Sequence, residues 1–572
     1  MGELVGKLPV AQWVEDIVDW LTTNLSGMFN FIQTVGNKLM DGMTAGLTAI
    51  PAWMFIIGLT ALALIFSSKK LGFVFFTFIG LLFIWNQNLW ADLMSTLTLV
   101  LVSSIISIVI GVPLGIWMSK KEYVARVVQP ILDFMQTMPG FVYLIPAVAF
   151  FGIGVVPGVF ASVIFALPPT VRMTNLGIRQ VPNDLVEAAD SFGSTPKQKL
   201  FKLELPLATS TILAGINQTI MLALSMVVIA SMIGAPGLGR GVLSAVQNAD
   251  VGKGFVNGLA LVVLAIIIDR FTQKLNVSPE DKVQNGSKPW RKWAALGIFV
   301  VMIGTGFANS FVASGAKAKT LDLVYVQWDS EVASSNVLAV AMRQHGYKVN
   351  LTPLDNSIMW QSVANGQADA SVSAWLPTTH SAQYNKYKDQ IDLLGPNLKG
   401  ATTGLVVPKY MKVNSIADLT TEANKNITGI EPGAGEMKAA TKALTAYGLK
   451  SQGWQLTPAS SGAMTVALGK AIKAHQDIIV TGWQPHWMFQ KYDLKYLKDP
   501  KHVFGEAETI NTFTRKDLKQ DKPKVYKVLK NFKWTKADME KVMLDVSNGK
   551  SVESAAKDWI SKHPKQVDAW FK

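Results

Sequence analysis

Two patterns of apolar residues divide this chain. Up to about residue 313 the apolar positions come in long runs with few charges, close to the ~20 residues that cross a hydrocarbon core as a helix. From residue 317 onward the chain is polar and lysine-rich, with short apolar stretches alternating with amphipathic ones, the mark of strands and helices around a soluble core. The runs predict eight spans, at 48–66, 71–88, 93–118, 138–155, 157–174, 208–233, 255–271 and 293–313. Between them lie basic loops at Lys69 and Lys70 and at 120–126, 172–202 and 270–292. Lys and Arg accumulate in cytoplasmic loops, and placing these four inside alternates correctly with the spans. Everything after Ala313, and also the N-terminus, is then expected outside. Residues 9–20, with Trp13 and Trp20, predict a short amphipathic interfacial helix. The first residues lack a signal peptide's basic stretch, short apolar core and cleavage site, so the spans are expected to drive export of the C-terminal half.

The polar half repeats itself. Strand, helix, strand, helix, strand is predicted at 321–326, 334–345, 347–352, 358–365 and 370–374, and again at 427–430, 437–447, 454–457, 463–474 and 478–481. Asp369 stands six residues before Trp375 and is followed by Pro377; Asp477 stands six before Trp483 and is followed by Pro485. Two alternating β/α units predict two lobes, each a mostly parallel sheet covered by helices, with a cleft for a small ligand at the strand ends. Trp328, Trp375 and Trp483 stand at such ends. One such indole is ordinary core packing, but three in equivalent places are a candidate cage. A quaternary ammonium has no proton to donate, so electron-rich faces must surround it, and indole is the best of them.

Composition narrows the field. With 49% hydrophobic and 16% charged residues over 572 positions, the chain is too apolar for a soluble protein of its size. A net charge of +14 raises the question of nucleic acid, but several membrane-length runs exclude a solvated nucleic-acid binder, and the charge serves orientation and anionic lipid. There is no cysteine, hence no disulfide framework or thiol chemistry. No paired carboxylates, Ser-His-Asp set or metal cluster stands at interpretable spacing, so no enzyme is read here. The phosphate-loop pattern GxxxxGK[ST] is also missing, and ATP and Mg are expected on a separate partner. The glycine-rich 234–241 stretch is expected to break the sixth span near an outer gate.

Between the fifth and sixth spans lies Glu187-Ala188-Ala189, three residues, Gly193, nine residues, then Leu203-Glu204-Leu205-Pro206. Here a short helix is expected to end at Gly193, with Pro206 breaking the chain before the next span. The pattern resembles the EAA loop of binding-protein-dependent ABC importers, across about residues 90–275. The resemblance implies that Glu187, Ala188, Ala189, Gly193, Leu203 and Pro206 couple the chain to a cytoplasmic ATPase, two per complex, on a homodimer of this chain.

The polar half, through Gly482-Trp483-Gln484-Pro485-His486-Trp487 and Ala374-Trp375-Leu376-Pro377, resembles the glycine betaine and choline-type solute-binding proteins. That resemblance implies a cage of Trp328, Trp375 and Trp483, a ligand carboxylate bonded by His380, and backbone amides of Gly435 and Glu436 completing its site. The Glu431-Pro-Gly-Ala-Gly435-Glu436 turn between a strand and a helix suits an anion, provided that the Glu436 side chain points away. His486, Trp487 and Trp360 are runners-up.

The expected fold is therefore an all-α polytopic membrane domain of the ABC importer type I permease kind, followed by an α/β two-lobed periplasmic-binding-protein-like domain. The divisions are 1–46 interfacial segment, 47–290 permease domain, 291–319 last span and linker, and 320–572 solute-binding domain. The expected role is import of glycine betaine or a related quaternary-ammonium solute in osmoprotection, at the plasma membrane of a bacterium without a periplasm. The alternative is a ligand-sensing receptor without transport.

Overall fold

The computed structural model describes residues 9–66, 71–275 and 319–572. They form two compact units, one helical and one α/β.

In the helical unit, Trp90–Lys120, Val155–Arg179, Pro196–Ile233 and Val251–Gln273 are each long and apolar enough to cross a membrane. They cover the expected spans at 93–118, 157–174, 208–233 and 255–271. Some of their polar side chains bond back to the helix that carries them: Thr98 and Ser103 donate to the carbonyls of Met94 and Leu99 at 2.9 and 2.7 Å. Small residues let the helices approach closely; a Cβ on Gly115 would lie 2.6 Å from the carbonyl oxygen of Val171.

Two expected spans are corrected. Ser26–Ala49 and Ala52–Ile65 form a pair bent by 90°, so the run at 48–66 is the second arm of a bent pair; the expected boundary at 46/47 falls inside its first arm. Glu122–Thr137 and Gly140–Phe151 are likewise bent by 105°. Hence 138–155 is no separate span, for its α-helix Leu144–Phe151 has eight residues and reaches only about 12 Å. Both bends follow from proline. Ile50 before Pro51 and Met138 before Pro139 are extended (ψ 123° and 133°), because the proline ring excludes the helical conformation from the residue before it. Leu71–Asn86, within the run at 71–88, is a shorter apolar helix. The span at 293–313, Lys69, Lys70 and the linker up to residue 318 lie outside the described residues.

Helix Val10–Asn24 presents Val10, Trp13, Val14, Ile17 and Trp20 on one face, all more than half exposed. That is the amphipathic pattern expected at 9–20.

Among the described residues the α/β unit has nine strands: β1 Thr320–Tyr325, β2 Lys348–Pro353, β3 Ala370–Leu376, β4 Ile391–Pro408, β5 Asn426–Thr428, β6 Gln455–Thr457, β7 Ile479–Gln484, β8 Leu494–Tyr496 and β9 Glu508–Arg515. Their order is β2-β1-β3-β9-β4-β7-β5-β6, with β8 beside β4. The parallel triplets β2-β1-β3 and β6-β5-β7 are the two sequence units, in the same spatial order. Strand β4 joins them. Its residues 391–401 pair antiparallel with β9 in the first lobe, and 402–406 with β7 in the second. Trp534, Trp559 and Trp570, in the C-terminal helical region, pack against one another and Phe532 as ordinary core.

At the foot of the first lobe, Asp369 is 5% exposed at its side chain and accepts from Arg515 Nε at 3.0 Å, Lys522 Nζ at 2.7 Å and the Asp322 amide at 2.9 Å. Removing one member of such a group strands the others. Asp369→Ala is expected to cost about 3 kcal/mol, or roughly 10 °C in the melting temperature of this unit. An unaltered melt would show that the two cations and the amide find water instead.

Candidate functional site

The strand ends bring the three tryptophans together. Trp328 caps helix Asp329–Gln344 just after β1, while Trp375 and Trp483 lie in β3 and β7. They line one cavity of about 310 Å³, counting space open to solvent. Ser330 and Thr379 complete the first lobe's wall; Thr403, Ile430, Ala434, Gly435 and Glu436 form the second lobe's. Trp328, Trp375 and Trp483 are 7%, 3% and 4% exposed, so their faces are shielded from water. Five of the six residues expected at the ligand thus share one cavity.

The sixth, His380, stands behind the wall. It is fully buried, stacked on Trp328 at 5.8 Å between ring centroids, with Trp360 edge-on at 5.8 Å. Its Nδ1 accepts from the Trp375 amide at 3.1 Å, which leaves the ring proton of the neutral form on Nε2. That Nε2 has no partner. Burial, helped by the Lys438 charge, pulls its pKa down to about 3, against the opposing carbonyl of Ser373. His380 is therefore a neutral donor at physiological pH.

Helix Gly435–Ala446 has no side-chain cap at its N-terminus, so its first amides are open to an anion. A Cβ on Gly435 would lie 2.0 Å from the carbonyl oxygen of Thr379 in the other lobe, so only glycine permits this approach. The Glu436 carboxyl takes bonds from the amides of Gly404 and Gly482. Its Oε1 keeps no partner. Burial dominates those amides and pushes the pKa to about 8, so the carboxyl is largely neutral at pH 7. A bound carboxylate would then meet little like charge there.

Sequence reasoning missed Thr403, Ser330 and Thr379. Thr403 pairs with Trp483 across β4 and β7, and the register of β4 was its only signal. Of the runners-up, Trp360 is core, stacked on Phe513 at 4.3 Å; His486 is buried edge-on to Trp483 at 4.6 Å.

In the helical unit, Glu187, Ala188 and Ala189 lie on helix Asn183–Ser191, in which no residue is buried. Gly193, at φ +75°, ends the helix, with Gly193 N–H bonded to Asp190 and Ser194 N–H to Ala189. Phe192 beside it is 90% exposed, an apolar knob that the sequence motif does not mark. Pro206 corrects an expectation. It does not break the chain but sits in the first turn of helix Leu205–Ala230, which follows directly on the π-helix Leu200–Glu204 that holds Leu203. First-turn prolines need no N–H partner, and the wide turn before it absorbs the mismatch. Glu204 is buried and paired with Lys120, which ties the end of this loop to helix Trp90–Lys120.

Glu331, buried in the first lobe with a bond from the Val326 amide, is also pushed by burial to about 8. Both acids hold their proton more tightly folded than unfolded, so each favours folding fully below its ordinary value of 4.5 and loses that contribution as pH rises through about 8. The melting temperature of the α/β unit is expected to fall between pH 5 and pH 9, and Glu331→Gln or Glu436→Gln to flatten that slope. A melt that rises over this range would contradict it.

Known proteins share both halves. Residues 319–562 match the substrate binding domain of ABC-type glycine betaine transport systems, and residues 107–276 the inner membrane component of binding-protein-dependent transport systems. The glycine betaine/carnitine transport permease of Listeria monocytogenes is 59% identical over 279 residues, covering 48% of this chain and 97% of that protein. The glycine betaine transport permease of Bacillus subtilis is 55% identical over 276 residues, with 48% and 97% covered. The crystal structure of lactococcal OpuAC, closed and liganded with glycine betaine, has 64% identity, covers 44% of this chain and all of that one, and gives a TM-score of 0.44. Identity this high along nearly the whole of two permeases means that the chain belongs to their family, the glycine betaine permeases of binding-protein-dependent transport, and carries a substrate-binding domain in the same polypeptide.

Proposed function

We propose that this chain is both the permease and the substrate-binding subunit of an ATP-driven importer for glycine betaine or a closely related quaternary-ammonium solute. The observation that carries the reading is three buried indoles around one cavity, beside an uncapped helix N-terminus. The indole faces hold the trimethylammonium, each desolvated contact contributing ~0.5 to 2 kcal/mol. The carboxylate meets the amides of Gly435 and Glu436, and the neutral His380 reaches it through Nε2–H. Choline lacks that carboxylate and leaves these donors unused, so it is expected to bind more weakly.

Transport requires a cytoplasmic ATPase that carries ATP and Mg, docked on the loop of Glu187, Ala188, Ala189 and Gly193, with Phe192 as an added apolar contact. In this reading two copies of the chain form the pathway and two ATPase subunits drive it. Ligand closes the lobes, the closed domain docks at the outer face, and ATP turnover switches the pathway. Fusion holds the receptor near the pathway at an effective concentration of ~mM, which suits a cell without a periplasm. The role in the cell is osmoprotection. A receptor that only senses solute is not favoured, since the permease likeness takes up nearly half of the chain.

Two sets of variants test this. In calorimetric titration of the purified chain, Trp375→Ala is expected to abolish glycine betaine binding and His380→Ala to weaken it about tenfold; full binding by Trp375→Ala would remove the cage. In vesicles with the ATPase, changing Glu187 or Gly193 is expected to stop uptake with titration unchanged, whereas uptake at the original rate would remove the coupling role.

A further inference from the structure

Of the three cage indoles, only Trp328 has its N–H hydrogen-bonded. Trp375 Nε1 and Trp483 Nε1 have no partner, whereas Trp328 Nε1 donates to Glu431 Oε2 at 3.2 Å. That bond crosses the cleft, from the start of a first-lobe helix to the turn after β5 in the second lobe. The other oxygen of Glu431 accepts from the Ser461 amide at 3.0 Å, at the start of helix Ser461–Lys473. The carboxylate is thus fixed in its own lobe and reaches out with one oxygen.

The next residue repeats the arrangement. Asp329 Oδ2 lies 3.1 Å from His486 Nε2 in the second lobe, and His486 Nδ1 accepts from the Met488 amide at 3.1 Å, which makes Nε2 the donor. His486 in turn stands edge-on to Trp483. Two consecutive residues at one helix start therefore each grip the opposite lobe beside a cage tryptophan.

We propose that Glu431 is a positioning residue that ties Trp328 to the second lobe, so that the cage is complete only while the cleft is closed, with Asp329 and His486 as a second clasp. This rests on the cage reading above. Neither Glu431 nor the Asp329–His486 pair touches the ligand in this account; they act through the tryptophans and set how long the closed state lasts. Because the bonds cross the cleft, they contribute nothing to an open, ligand-free domain.

The test uses the full-length chain in nanodiscs, with glycine betaine binding followed by stopped-flow tryptophan fluorescence. Glu431→Ala is expected to raise the dissociation rate about tenfold while association stays within about twofold. The ligand-free melting temperature should fall only by the few degrees that losing the Ser461 bond within the second lobe costs. In a Trp328→Phe background, which keeps an aromatic face but no N–H, Glu431→Ala should add no further increase. An unchanged dissociation rate in Glu431→Ala, an equal loss of ligand-free stability, or full additivity with Trp328→Phe would overturn the proposal. Trp375→Ala separates the two readings. If it abolishes binding while Glu431→Ala changes nothing, only the clasp falls; if Trp375→Ala binds normally, the cage falls and the clasp with it.

Discussion

A quaternary ammonium carries a full positive charge and no N–H, and the binding domain is arranged around that constraint. No hydrogen bond can seat such a cation, so selectivity has to come from aromatic faces kept dry, where the attraction between charge and ring is strongest. The three indoles are nearly buried; Trp375 and Trp483 come from matching strands of two repeated β/α units, and Trp328 from just beyond β1. A cage of this kind cannot be open and complete at once. Completing it means bringing two lobes together, and the rest of the α/β unit can be understood as the means of doing so.

Strand β4 is the main element of that closure, since one half of it belongs to each lobe's sheet. A rotation of the lobes must pass through it and through the return of the chain from β8 to β9. The acidic groups near the ligand fit the same logic. Glu436 lines the cavity with its proton retained, so in the proposed site a ligand carboxylate would meet amide and imidazole donors without the charge of Glu436 beside them. Glycine at 435 lets the opposing carbonyl of Thr379 come close, which would close the proposed site at its carboxylate end.

The long helices were legible because each is dominated by one apolar run. The two bends were not, since a single proline at 51 or 139 hardly alters the hydropathy of a window but decides the direction of the chain. The repeat gave β1 to β3 and β5 to β7 together with the three tryptophans. It could not give β4, whose irregularities around Gly395, Pro396 and Ala401 hide an 18-residue strand behind residues typical of turns. Thr403 was lost with that strand. Glu431 was visible as part of a turn, but its bond to Trp328 depends on two segments more than a hundred positions apart, which no local pattern records. Pro206 misled for the opposite reason: a proline after a polar loop reads as a break, and only the preceding π turn lets the helix run through it.

In the proposed site it is charge, and not shape, that holds the ligand in the cage. The direct measurement is calorimetric titration of the purified chain with glycine betaine and with its carbon isostere, in which a tert-butyl group replaces the trimethylammonium. Both fill the same space and carry the same carboxylate. Three desolvated cation–π contacts predict that the isostere binds about 100-fold more weakly; equal affinities would contradict the cage as a cation site and leave the tryptophans as an apolar pocket.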